Sequence, residues 1–301
     1  MSDEAKFISA LRALGTHPGA RGLADDAAVF EGLVFTHDML AQGIHYLPTD
    51  PPQDVAWKLL AVNLSDLAAK GATPLAVLMG YCLSDDQEWD RQFVIGLKMG
   101  LDHFNVALLG GDTVRLPHAA PRVLGLTAIG RAGAVVPSRG GAQIGDGVFV
   151  TGTIGDAGLG LKVARGEADC PVLRDAYRRP MPQVAAGQVL APLVSAMMDV
   201  SDGVLIDAQR MALASGIAIA IDLDAIPLSD AYRALGGENQ AARLVAVTAG
   251  DDYQLLFTSS ALPPNLNCAI TRIGAVIAGH GVQLHDADGA IVLPHRLGWE
   301  H

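Results

Sequence analysis

Aromatic residues make up only 5% of this 301-residue chain, so its apolar half is mostly Ala, Val, Leu and Ile, side chains that pack at close approach. Cysteine is scarce too. Cys82, Cys170 and Cys268 stand far apart without C-x-x-C or Cys/His spacing, which excludes a disulfide framework and a thiolate metal site and suits buried thiols in a reducing compartment. No apolar run approaches the roughly 20 residues of a membrane span, and the acidic start Met1-Ser2-Asp3-Glu4 is unlike a signal peptide. A cytoplasmic protein is expected. Positive charge is also short: 21 Lys and Arg face 32 Asp and Glu, for a net charge of −11. A basic field for nucleic acid or anionic lipid is therefore missing, and small-molecule chemistry is the better expectation. Neither G-x-x-x-x-G-K-[ST] nor a strict G-x-G-x-x-G occurs, and the nine dispersed histidines form no Ser/His/Asp or H-E-x-x-H arrangement.

What remains is a chain long enough for two cores, and hence for a cleft between them. Gly32 to Asp38, Leu75 to Leu83 and Arg122 to Ile129 read as strands; Asp54 to Lys70, stopped by Gly71, and Asp86 to Asn105 read as helices. Val106 to Leu109 is a strand running into Gly110-Gly111-Asp112-Thr113. The pattern is α/β or α+β. Composition shifts to Gly, Pro, Ser and Arg between Gly133 and Gly147, placing a boundary near Pro137, between domains 1–137 and 138–301. Beyond it come strands at Gly147 to Val150, Ala196 to Val200 and Ile217 to Leu223, a helix from Asp202 to Ser215, and a hairpin signal at Asp286-Ala287-Asp288-Gly289.

The residues with chemical promise are short acidic loops. Asp25-Asp26 and Asp38 fit solvated turns as readily as sites. Asp66 differs, because it lies within an apolar helical segment where an unpaired carboxylate is costly and needs a partner or a metal. Three-residue spacing puts Asn63 on its face of the helix. Asp112 follows two glycines at an expected strand end, where ligands commonly bind, although an Asx turn explains it equally. Asp199 and Asp202 flank Val200-Ser201, with Asp202 a natural helix N-cap. Magnesium takes one or two protein carboxylates per ion and completes its shell with water and phosphate oxygens, a habit that loops offering one or two Asp each would satisfy. Arg139, in Pro137-Ser138-Arg139-Gly140-Gly141, is the leading phosphate-binding arginine, against the alternative of an exposed linker residue. His45 reads as structural from the residues alone.

Taken in order, Asp25-Asp26, Thr36-His37-Asp38, Gly43 to Leu47, Val62 to Gly71, Gly110 to Thr113, Thr151 to Asp156, Asp199-Val200-Ser201-Asp202-Gly203, Gly250 to Phe257 and Gly298-Trp299-Glu300-His301 resemble the thiamine-monophosphate kinases, members of the superfamily of aminoimidazole ribonucleotide synthetase and selenophosphate synthetase. The resemblance implies a mixed-sheet N-terminal domain that dimerises, a C-terminal α/β domain and ATP in the cleft between them. It implies Mg²⁺-dependent transfer of the γ-phosphate of ATP, the co-substrate, to thiamine monophosphate. By motif position Asp25, Asp38, Asp66, Asp112 and Asp202 would bind metal, with Asp66 and Asp202 catalytic. Thr36, Gly111, Asp112 and Arg139 would meet ATP, and His45, Ser201, Asp252 and Trp299 the acceptor. The acceptor's phosphate is already largely ionised at neutral pH, its second pKa being about 6, so no strong base is required. Its thiazolium cation would suit the face of Trp299, for which a core role is the competing reading.

Three positions depart from the family pattern: His37 for Thr or Ser, Ala24 for Gly, and Ala249-Gly250-Asp251 for Gly-Gly-Glu. Selenophosphate synthetase would require a reactive residue near the N-terminus, whereas the first cysteine is Cys82. Aminoimidazole ribonucleotide synthetase is the enzymatic alternative, disfavoured by Asp251 to Phe257 and the terminal Gly298-Trp299. A non-catalytic nucleotide-binding paralogue is the other.

Overall fold

The computed structural model describes residues 3–118, 120–261 and 266–300; Met1, Ser2 and His301 from the motifs above fall outside them. Helix α1 (Asp3–Arg12) leads into a mixed sheet of β1 (Ala28–Phe30), β2 (Leu33–Ala41), β3 (Thr73–Leu83), β4 (Ala107–Arg115) and β5 (Val123–Arg131), interrupted by α2 (Pro52–Ala69) and α3 (Gln87–Phe104). Its strand order is β1-β2-β5-β3-β4, parallel only between β3 and β4. The second sheet comprises β6 (Gly147–Thr151), β7 (Ala196–Asp199), β8 (Ala218–Asp222), β9 (Leu255–Ser259), β10 (Ile270–Ile277), β11 (Gly281–Asp286) and β12 (Gly289–Ile291). It runs β12-β11-β8-β10-β6-β9-β7 and carries α4 (Asp156–Ala164), α5 (Pro171–Arg178), α6 (Val184–Leu190), α7 (Val204–Ser215), α8 (Asp230–Gly236) and α9 (Gln240–Thr248). The fold is thus two mixed α/β units. No described helix is long and apolar enough to cross a membrane.

Two expectations change in detail. β4 does not end at the glycines but runs through Asp112 to Arg115, because Gly80 and Tyr81 of β3 pair with Asp112 and Thr113. Gly111 has φ +155°, and a Cβ there would collide with the Met79 backbone; the glycine serves sheet pairing. Asp202 is not the cap of α7, which starts one residue after Gly203. Instead the buried Asp207 accepts the amides of Asp202 and Gly203 at 3.1 and 3.2 Å.

The joint between the two units is α2. Every residue from Val55 to Ala69 is buried, the mark of a helix covered on all sides. It packs on β2, β5 and α3 in its own half and on α6 and β7 in the other. At its C-terminal end Ala68 and Ala69 join Phe149, Leu190, Met197 and Phe257 in a small apolar cluster. Gly71 then closes the helix with φ +61°, a left-handed turn that glycine adopts without strain. Residues 132–146 connect the units without helix or strand, and Arg21 fastens them by donating to the Val136 and Pro137 carbonyls at 2.8 and 2.9 Å.

Candidate active site

A helix buried on every side tolerates polar residues only where each finds a partner, and each buried polar residue of α2 reaches out of the helix. Lys58 and Ser65, two turns apart, face the second unit: Lys58 meets Asp251 at 2.8 Å and Ser65 donates to Asp199 at 2.6 Å. Asn63, Asp66 and Lys70, spaced by three and four, share another side. Asn63 accepts the Asp38 amide at 2.9 Å, Asp66 accepts the Thr36 hydroxyl, and Lys70 lies 2.5 Å from Asp25 and 2.7 Å from Asp26. One helix thus brings the Asp25-Asp26 turn, β2 and the end of β7 to a single place. Beside it opens a cleft of about 270 Å³ lined by Asp25, Asp26, Thr36, His37, Asp38 and Thr127.

At that place oxygens of Asp26, Asp66 and Asp199 lie within 4.8 Å of one another. Burial pushes the Asp66 carboxyl well above the carboxylate range, and repulsion from Asp38, Asp199 and Asp26 adds to it. Burial, then the charge of Asp26, raises Asp199 to about 8; burial, then Asp26 and Asp202, raises Asp38 to about 6. Asp26 alone of this group is lowered: burial opposes its ionisation, but Lys70 and Arg139 outweigh burial. Its Oδ2 sits 2.7 Å from Lys70 without hydrogen-bond alignment, an ion pair that leaves a buried lone pair uncommitted. Like charges so crowded are stable only beside cations. An all-oxygen set of this kind suits a hard divalent ion such as Mg²⁺.

Of the residues proposed from sequence, the structure gathers Thr36, Asp38, Asp66, Asp202 and Arg139 around this cluster. Arg139 forks onto Asp26, its Nε at 3.1 Å, and Asp202 is held by Arg210 at 2.5 Å. Asp25 is placed differently: its carboxylate, 2% exposed, is closed between Arg21 at 2.6 Å and Lys70, and it also accepts the Asp26 amide at 3.0 Å. It ties the turn to the interdomain connection. Gly111 and Asp112 lie on β4, with β5 and β3 between them and β2; Asp112 accepts the Thr113 amide at 2.9 Å.

Ser201 and Trp299 border the Asp202 turn, the Ser201 carbonyl accepting the Asp251 amide and the Asp202 carbonyl that of Trp299 at 2.9 Å. His45 Nδ1 accepts the Ala41 amide at 3.0 Å. Asp252 is turned inward. Its buried carboxylate accepts the Gly155 amide at 2.8 Å, at the N-terminus of α4 where a negative charge is favoured, while the side chain of its neighbour Asp251 is a third exposed. Sequence reading weighed Asp26 only as part of the Asp25-Asp26 turn, noted Asp251 only as a departure from the family pattern and Asp199 only as flanking Val200-Ser201, and gave Lys70 and Lys58 no role. Only Asp199 carried a local signal, an Asp closing an apolar strand.

Residues 24–132 match the family described as AIR synthase related protein, N-terminal domain, and residues 143–287 match its C-terminal domain counterpart. The thiamine-monophosphate kinase of Salmonella typhimurium is 37% identical over 281 residues, 89% of this chain and 85% of that protein. The solved structure of AaThiL complexed with AMPPCP and TMP superposes with a TM-score of 0.87 at 30% identity, covering 98% of this chain and 96% of that one. Thiamine-monophosphate kinase from Stenotrophomonas maltophilia K279a gives 0.78 at 36% identity, covering 95% and 96%. Both halves therefore match one group of proteins, and the chain belongs to the AIR synthase related family, with thiamine-monophosphate kinases as its relatives along nearly its whole length.

Proposed function

We propose that the protein is a thiamine-monophosphate kinase, transferring the γ-phosphate of ATP to the phosphate of thiamine monophosphate to give thiamine diphosphate and ADP. The observation that carries this reading is the buried Asp26, Asp66 and Asp199 cluster under Arg139, beside an open cleft, in a chain whose relatives carry that name. Donor and acceptor are both polyanions, so the site must relieve their repulsion and align them rather than remove a proton. Mg²⁺ held by Asp26, Asp38, Asp66, Asp199 and Asp202 supplies that charge relief when bound. Arg139 offers a guanidinium fork suited to phosphate oxygens. Lys70 keeps Asp26 ionised for its cation, and Asn63 and Thr36 hold β2 and Asp66 in place. On the acceptor side Trp299, 52% exposed, presents a ring for the thiazolium cation, and His45, Ser201 and Asp251 are the further residues for the acceptor.

We further infer a division at Pro137 into a nucleotide-side and an acceptor-side domain, and a homodimer formed across β4. The dimer is supported by that strand's exposure at all nine positions, including Leu108, Leu109 and Val114, an apolar edge that isolated proteins rarely leave open. The unpaired thiols Cys82, Cys170 and Cys268 fit a cytoplasmic setting.

ADP formation measured with Mg²⁺ and thiamine monophosphate, thiamine, the aminoimidazole ribonucleotide synthetase substrate or no acceptor tests the reading. Turnover with thiamine monophosphate alone is expected. Turnover with the synthetase substrate instead, or with no acceptor at all, overturns it.

A further inference from the structure

On the acceptor side a buried ammonium sits where phosphate chemistry does not require one. Lys58 is 2% exposed, donates to Asp251 Oδ2 at 2.8 Å and to the His45 carbonyl at 3.0 Å, and lies 4.0 Å from the centroid of the Tyr177 ring. These partners come from three segments in both halves of the molecule: the turn after β2, the turn before β9, and α5. A buried ammonium is tolerable only when paired, so the lysine dictates where these segments meet.

The Asp251 turn has little freedom elsewhere. Its amide donates to the Ser201 carbonyl at 2.7 Å, its Oδ1 accepts the Tyr253 hydroxyl at 3.0 Å, and Asp251 and Tyr253 hold φ of +65° and +49°, a region costly for residues other than glycine. Asp251 is nevertheless a third exposed. Each of its oxygens keeps a lone pair beyond those two bonds, so the carboxylate is steadied by Lys58 and Tyr253 while its exposed part stays open to a ligand. The Asp is one methylene shorter than the Glu of the family pattern, which makes its reach depend on where the ammonium holds it.

We propose that Lys58 is a positioning residue for the acceptor: it sets the Asp251 carboxylate and the His45 turn at a fixed separation, so that a cationic heterocycle bearing a phosphate meets a prearranged pair. The inference rests on the kinase reading above. Steady-state kinetics with ATP and thiamine monophosphate varied separately, on wild type, Lys58→Met, Asp251→Asn and the double variant, tests it. KM for thiamine monophosphate should rise about tenfold or more in each single variant, the scale of loss from misplaced binding groups. KM for ATP should stay within about twofold, and the double variant should be no worse than the weaker single one, as for residues acting as one unit. Asp251→Asn leaves the ammonium its carbonyl and ring partners, so it carries the test if Lys58→Met does not fold. An unmoved KM for thiamine monophosphate, equal rises for both substrates, or additive effects overturn the inference alone, provided the wild type phosphorylates thiamine monophosphate. A wild type without that activity overturns the reading and the inference together.

Discussion

The two sides of the cleft are neutralised in opposite ways. On the phosphate side five carboxylates, from Asp26, Asp38, Asp66, Asp199 and Asp202, converge from β2, α2, β7 and adjoining turns. Their protein cations, Lys70, Arg139 and Arg210, lie at the edge of the group. On the acceptor side one carboxylate, Asp251, a third exposed, meets one ammonium, Lys58. The first side is over-supplied with negative charge; the second is charge-balanced. A site that holds two polyanions needs imported cations where the chain is acidic, whereas a substrate carrying its own positive ring needs only a placed carboxylate and an aromatic face.

The sharpest way to break this contrast is to remove the buried ammonium beneath the acidic side. Lys70→Met should cost about 3–5 kcal/mol of stability, because it removes the one ammonium that the buried Asp25 and Asp26 share and leaves them only Arg21 and Arg139; chemical denaturation measures it, and a loss under about 1 kcal/mol would mean that the two arginines suffice or that water already reaches the pair. Next, Asp66→Asn and Asp202→Asn should each lower turnover at least about tenfold by weakening metal binding, with wild-type rates in either variant removing that residue from the metal set. A smaller effect concerns pH. Asp199 and Asp38 have folded pKa values raised to about 8 and about 6 by burial and like charge. The folded state therefore binds protons more tightly than the unfolded chain, whose Asp titrates at about 3.9. That stabilisation is complete below about pH 4 and is lost as pH rises through 6 and 8. Chelator-treated protein should accordingly melt lower at pH 8.5 than at pH 6, and saturating Mg²⁺ should flatten the trend; a pH-independent melting point without metal would contradict the crowding. The smallest effect is expected on the charge-balanced side: Trp299→Leu should weaken acceptor binding by about 0.5–2 kcal/mol, read as a higher KM for thiamine monophosphate at unchanged KM for ATP.

Legibility in the sequence followed how local each cause was. The end of α2 was readable because Gly71 is a local signal, although the helix starts at Pro52, two residues before the expected Asp54; so were the hairpin at Asp286 to Gly289 and the start of α3 beside Asp86, whose carboxylate accepts the Trp89 amide at 2.9 Å. Choices between adjacent carboxylates were not. Asp25 and Asp26 are chemically equivalent in sequence, and only the approach of Arg21 to Asp25, of Arg139 to Asp26 and of Lys70 to both, from elements distant in the chain, gives them different partners. Asp251 and Asp252 are sorted in the same way, by Lys58 and by the N-terminus of α4, elements 193 and 97 residues distant. Asp202 suggested a cap because capping is a local habit, but Asp207 took that work through the tertiary turn. Asp112 suggested a strand end because two glycines precede it; pairing with β3 carried the strand onward.

The central claim is that Asp26, Asp66 and Asp199 together hold the divalent cation that carries the phosphates. Mn²⁺ binding followed by electron paramagnetic resonance, in the presence of a non-hydrolysable ATP analogue, tests it on wild type and Asp199→Asn. The account predicts at least about a tenfold loss of Mn²⁺ affinity in the variant, with the fold intact by circular dichroism. Unchanged Mn²⁺ affinity in a folded Asp199→Asn protein would contradict it.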